Sequence, residues 1–166
     1  MVWGLPAETL LQIHVWLSAI GIVTGIVALY GLLTGHLFGL ITGLFLLTTL
    51  LTSVTGFPLP PYGIDPPRIL GVISLVFLAL AIAAIYVFHL AGHWRWIFVV
   101  TAVASLYLNV FVAIVQAFQK LIFLKPLAPT QSEPPFLIAQ LLALGLFVAF
   151  SVVALMRFRP AAEASM

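Results

Sequence analysis

The chain has 166 residues, of which 64% are hydrophobic and only 6% charged, with no cysteine and a formal charge of +2. Soluble globular chains carry roughly 25% charged residues and cannot hide this much apolar surface from water, so the composition is that of an integral membrane protein. It excludes a basic face for nucleic acid and, with no thiol, every disulfide, thiolate-metal and thiol-catalytic site.

A membrane-crossing helix needs about 20 apolar residues, and five stretches qualify: 11–33, 37–56, 69–91, 96–119 and 136–156. Residues 1–10 hold Glu8 and no Lys or Arg, the wrong charge for a secretory leader, so the first run is expected to stay as a span. It carries His14 about one turn in, then Gly21 and Gly25. Gly31, Gly35, Gly39 and Gly43 recur every four residues through the turn at 34–36 into span 2. Small residues at that spacing let helix backbones approach closely in lipid. They predict a tight hairpin of spans 1 and 2, with a homodimer groove as the alternative. His36 opens span 2, and Thr42, Thr49, Thr52, Ser53 and Thr55 follow, although a threonine also bonds its own helix carbonyl.

Prolines 58, 60, 61, 66 and 67 break the chain after span 2. Asp65 stands where a helix cap belongs, with Pro66 and Pro67 in the first turn of span 3. His89 falls in the last turn of that span, and His93 shares its helix face if the helix runs so far. The short turn at 92–95 makes spans 3 and 4 antiparallel neighbours. Span 4 bears Thr101, Ser105 and Asn109, each four apart, with Gln116 nearly on the same line, and polar groups in hydrocarbon normally face the bundle interior. They are expected either to bond neighbouring helices, at about 0.6 kcal/mol each, or to line a path for a polar ligand, a quinone head or protons. In the loop at 125–135, Ser132 is the expected cap before Pro134 and Pro135, with Glu133 at the positive end of span 5. Those prolines are expected either simply to cap span 5 or to belong to a structured loop docked over the face A end of the bundle beside Gln116 and Gln140, which are expected partners.

Five crossings place the termini on opposite sides. Face A carries Glu8, Asp65, Arg68, Lys120, Lys125 and Glu133; face B carries His36, His93, Arg95, Arg157 and Arg159. Lys and Arg tie at three each, but the absence of basic residues before span 1, and Arg157 and Arg159 directly after span 5, favour face B as cytoplasmic. Trp94 and Trp96 on B, and Trp3 and Tyr62 on A, suit interfacial belts, with Arg95 anchored between its tryptophans.

The histidines hold the obvious chemistry. Haem b needs an imidazole from each of two helices at matching depth, which His36 and His89 approach; His36, His89 and His93 together suggest a three-imidazole site for a divalent metal. Glu8, Asp65 and Glu133 beside His14 outline a hard-cation site, unless they pair with Arg68, Lys120 and Lys125. No carboxylate lies inside a span, which argues against an ion-coupled carrier.

Three runs carry a resemblance: Thr-Ser-Val-Thr-Gly-Phe at 52–57, Tyr-Leu-Asn-Val-Phe at 107–111, and Leu-Ala-Pro-Thr-Gln-Ser-Glu-Pro-Pro-Phe at 127–136. In these the chain resembles a group of small bacterial polytopic inner-membrane proteins with no assigned activity, which implies a bacterial origin and a compact helical bundle. A looser likeness, to membrane families with His14, His36 and the Thr/Ser-Gly close of span 2, is broken by Leu37, where those families place arginine. The expectation is an all-α bundle of five membrane helices in one domain spanning 1–166. Its expected role is non-catalytic, as an accessory subunit or homo-oligomer in the lipid bilayer. The alternatives are a haem- or metal-binding redox protein using the face-B histidines and a passive pore or small-molecule carrier using the span-4 stripe.

Overall fold

The computed structural model describes residues 4–59 and 66–159. Five helices account for most of them: α1 (Ala7–Leu33), α2 (Gly39–Gly56), α3 (Pro66–Val87), α4 (Trp94–Lys120) and α5 (Pro134–Arg157). Each is long and apolar enough to cross a membrane. The shortest, α2 with 18 residues, reaches about 27 Å at 1.5 Å per residue, close to the roughly 30 Å hydrocarbon core. The protein is an all-α membrane bundle.

α1 lies along α2 and α3 along α4, as the short turns require. α4 is the hub: it packs on α3 and α5, more lightly on α1, and touches α2. Its inner face holds the centre of the core, with Phe98, Val99, Ala102 and Leu106 nearly inaccessible against Leu29, Leu32, Phe45, Leu46 and Leu78. Close approach of α1 is made possible by missing side chains. A Cβ on Gly25 would stand 2.6 Å from Leu106 Cδ1 and 2.9 Å from Phe45 Cδ2. The four-residue glycine series divides its work. Gly35 takes φ +82° and ends α1 in a Schellman turn, with the His36 N–H on the Gly31 carbonyl at 2.8 Å and the Gly35 N–H on Leu32 at 3.2 Å. Gly43 makes room for the Tyr86 hydroxyl, and Gly39 faces open space.

The helix ends differ from expectation in three places. α3 stops at Val87, not at 91: its last turn, Ala83–Val87, widens to π geometry, and His89 and Leu90 then take left-handed φ of 47° and 59°. The Leu90 N–H closes that end on the Ala84 carbonyl at 2.9 Å. Leu90 is buried, and Phe88 stacks flat on Trp94 with ring centroids 3.7 Å apart. Before α5 the cap is Glu133, one residue later than the expected Ser132, with Pro134 and Pro135 in the first turn. The Asp65 cap, and the Trp3 and Tyr62 belt, lie outside the described residues.

The third difference concerns arginine. Arg95 donates to the Leu155 carbonyl at 3.1 Å and to that of Phe158, at the end of α5. Arg157 reaches the Leu33 carbonyl at the end of α1, 3.3 Å away, and Arg68 the Phe57 and Leu59 carbonyls beyond α2, at 3.2 and 2.8 Å. Each guanidinium therefore sits where orphan carbonyls and the negative end of a helix dipole meet. Arg95 keeps its expected tryptophan partner as well, 5.7 Å over Trp96.

Candidate functional site

The interior polar groups collect in a seam between α1, α2 and α4. Asn109 on α4 donates Nδ2 to Thr49 Oγ1 on α2 at 3.0 Å, and Thr49 is fully buried. Gly21 on α1 completes the junction: a Cβ there would meet Thr49 Oγ1 at 3.1 Å, Thr48 Oγ1 at 3.3 Å and Asn109 Nδ2 at 3.5 Å. Towards face A, His14 Nδ1 lies 3.1 Å from Thr55 Oγ1. Thr55 places its own hydroxyl proton on the Leu51 carbonyl at 2.8 Å, so its oxygen accepts from an Nδ1–H of His14. Gly56 lies against the same ring, its hypothetical Cβ 3.3 Å from His14 Cε1. Ser53 donates to Ser74 Oγ on α3 at 3.2 Å.

The other hydroxyls turn back on their own helices. Thr48 bonds the Leu44 carbonyl at 2.7 Å and Thr52 that of Thr48 at 2.8 Å. In the span-4 stripe, Thr101 bonds Ile97 at 2.6 Å and Ser105 bonds Thr101 at 2.8 Å, both buried. Asn109 thus carries the stripe's hydrogen bond to another helix. Gln116 is exposed. Gln140 is buried, but its Nε2 goes to the Phe111 carbonyl at 3.2 Å, which corrects the expected Gln116 partnership. The reason is angular: Phe111 and Gln116 are five residues apart, so their positions lie about 140° apart around α4. The buried Gln140 Oε1 has no hydrogen-bond partner among the described residues.

A cavity of about 10 Å³ lies between α1, α2 and α4, lined by Gly25, Phe45, Phe98, Leu106 and other apolar groups, with Thr42 on its wall. That is room for about one water and none for a porphyrin or a quinone head.

The histidine sites fare differently from the seam. His36, His89 and His93 are all exposed. The left-handed residues after Val87 take His89 and His93 off any common helix face, because the helix they were to share has ended. Among the described residues no three His, Asp or Glu side chains gather as a metal site. For the hard-cation set, Asp65 lies outside the described residues, Glu8 is exposed and His14 faces Thr55. Glu133 is held by its own loop, accepting from the Thr130 N–H and hydroxyl at 3.1 and 2.9 Å and from the Ser132 N–H at 3.1 Å. Desolvation works against ionisation of that carboxyl, but these hydrogen bonds outweigh it and hold its pKa below the ordinary value.

The Ser53–Ser74 bond and the exclusion of a Cβ at Gly21 were not foreseen from sequence. The first joins Ser53, one of the span-2 hydroxyls, to Ser74, which stands alone in span 3 and carries no pattern. The second was half visible as Gly21 and Gly25, four residues apart. Comparison with protein-family models, curated proteins and solved structures returns no match.

Proposed function

We propose that this chain is a non-catalytic component of a bacterial cytoplasmic membrane, acting through its outer surface as a homo-oligomer or as an accessory subunit of a larger membrane complex. The observation that carries the reading is the filled interior. Asn109, Thr49, His14, Thr55, Ser53 and Ser74 engage one another, and the space between α1, α2 and α4 is about 10 Å³. Groups arranged in this way fix helix register. They present neither a nucleophile with its base nor a carboxylate, so another molecule meets the outside of the bundle. Face B is taken as cytoplasmic because residues 1–10, on face A, carry no Lys or Arg, while Arg157 and Arg159 stand at the end of α5.

The test is native mass spectrometry of the protein in lipid nanodiscs drawn directly from its membrane, with an absorption spectrum and metal analysis of the same sample. The expected result is a mass above that of one chain, no Soret band and no stoichiometric metal. A lone chain carrying a Soret band or a metal that is lost in His36→Ala, His89→Ala or His93→Ala overturns the proposal in favour of a redox protein. Liposome flux abolished by Asn109→Leu overturns it in favour of a carrier.

A further inference from the structure

The loop between α4 and α5 carries an apolar tip that the bundle does not cover. Leu121, Ile122 and Phe123 follow the last turn of α4, and Ile122 and Phe123 are 89% and 70% exposed. The tip is held rigidly. Leu124 and Lys125 donate their amides to the Leu121 carbonyl at 3.0 and 2.9 Å, and Leu127 donates to Leu124 at 2.9 Å.

The chain then runs back beside the helix it has left. Ala128 is buried with Phe118 and Phe136, and Gln131 donates Nε2 to the Val115 carbonyl at 3.4 Å. Val115 lies five residues before Lys120, the end of α4, so the loop descends about 7 Å along the side of the helix. Lys120 and Lys125 bracket the tip. Both are exposed, and neither has a hydrogen-bond or ion-pair partner among the described residues. The Glu133 carboxylate, the acid next along the loop, is occupied by Thr130 and Ser132. An aliphatic tip between two uncommitted ammonium groups complements a negative headgroup with its acyl chains.

The geometry points to the turn at 121–125 as an interfacial anchor. It seats in the surface of the bilayer the chain already spans, and Lys120 and Lys125 hold the phosphate of an anionic phospholipid. This inference does not depend on the proposed function.

The chain has no cysteine, so Ile122→Cys and, separately, Phe123→Cys each give one site for an environment-sensitive fluorophore. In vesicles of phosphatidylcholine and phosphatidylglycerol, the label at both sites is expected to be quenched by doxyl-labelled acyl chains and shielded from aqueous iodide. Native mass spectrometry is expected to show phosphatidylglycerol retained over phosphatidylcholine, with retention weakened about fivefold by each of Lys120→Gln and Lys125→Gln and helical circular dichroism unchanged. Iodide quenching equal to that of the dye on glutathione would place the tip in water and overturn the anchor. Shielding from both quenchers would mean that protein covers the tip, and would overturn the anchor equally. Undiminished phosphatidylglycerol retention in the double lysine variant would remove the headgroup site.

Discussion

In hydrocarbon the Asn109 amide has no water to turn to, and the buried Thr49 hydroxyl across the seam is its interhelical partner at 3.0 Å. Replacing Asn109 with Leu strands that hydroxyl as well as removing the bond. The expected loss is about 0.6–1.7 kcal/mol, from the average to the maximum of interhelical hydrogen bonds measured in a membrane protein, read by reversible unfolding in mixed micelles. Gln140→Leu should cost less by the same measurement, because it discards the unpartnered Oε1 along with a single bond to Phe111. Glycines give a sharper contrast. Gly25→Ala forces a methyl to within 2.6 Å of Leu106 and should cost about 1–3 kcal/mol by overpacking, whereas Gly145→Ala, in the middle of α5, meets nothing within 4 Å and should hold or raise the midpoint, because Ala is favoured over Gly in a helix interior. Equal midpoints for the two variants would refute the close α1–α2–α4 approach.

The arginines act on whole elements. Arg95 holds the last carbonyls of α5, and hydrogen bonds to a charged group contribute about 1.5–3 kcal/mol. Arg95→Leu is therefore expected to speed amide exchange in the final turn of α5 while exchange at its start stays unchanged. The loop before α5 responds to acid. Because the Glu133 pKa is depressed by its hydrogen bonds, the stabilisation it lends is complete above the unfolded carboxyl's pKa and disappears as pH falls through the folded one. Protease cutting within 121–133 should rise across that acidic window in the wild type, and Glu133→Gln should flatten the profile. These element ends are also where sequence reading fell short. Five spans were legible because apolar runs and proline breaks are long-range patterns, and Asn109 was legible as an inward-facing group. The end of α3 was not: left-handed backbone ordinarily announces itself through Gly or Asn, and here His89 and Leu90 adopt it because Leu90 is needed in the core and Phe88 stacks on Trp94.

At the scale of the molecule, five crossings require the ends of the chain to lie on opposite sides of the bilayer. Reporter fusions at the two termini should be active in different compartments; activity in the same compartment would sink the bundle as described. The central place of α4 also has a consequence in time. A nascent chain delivers α1 and α2 first, and Asn109 emerges roughly 50 residues after the close of that hairpin, a lag of about 3–10 s at the ribosome's pace of ~5–20 residues per second. Throughout that interval Thr49, packed against the bare backbone of Gly21 within the hairpin, lacks its amide donor. The first hairpin is thus the stage of biogenesis at which quality-control proteases have an unfinished, hydroxyl-bearing surface to recognise.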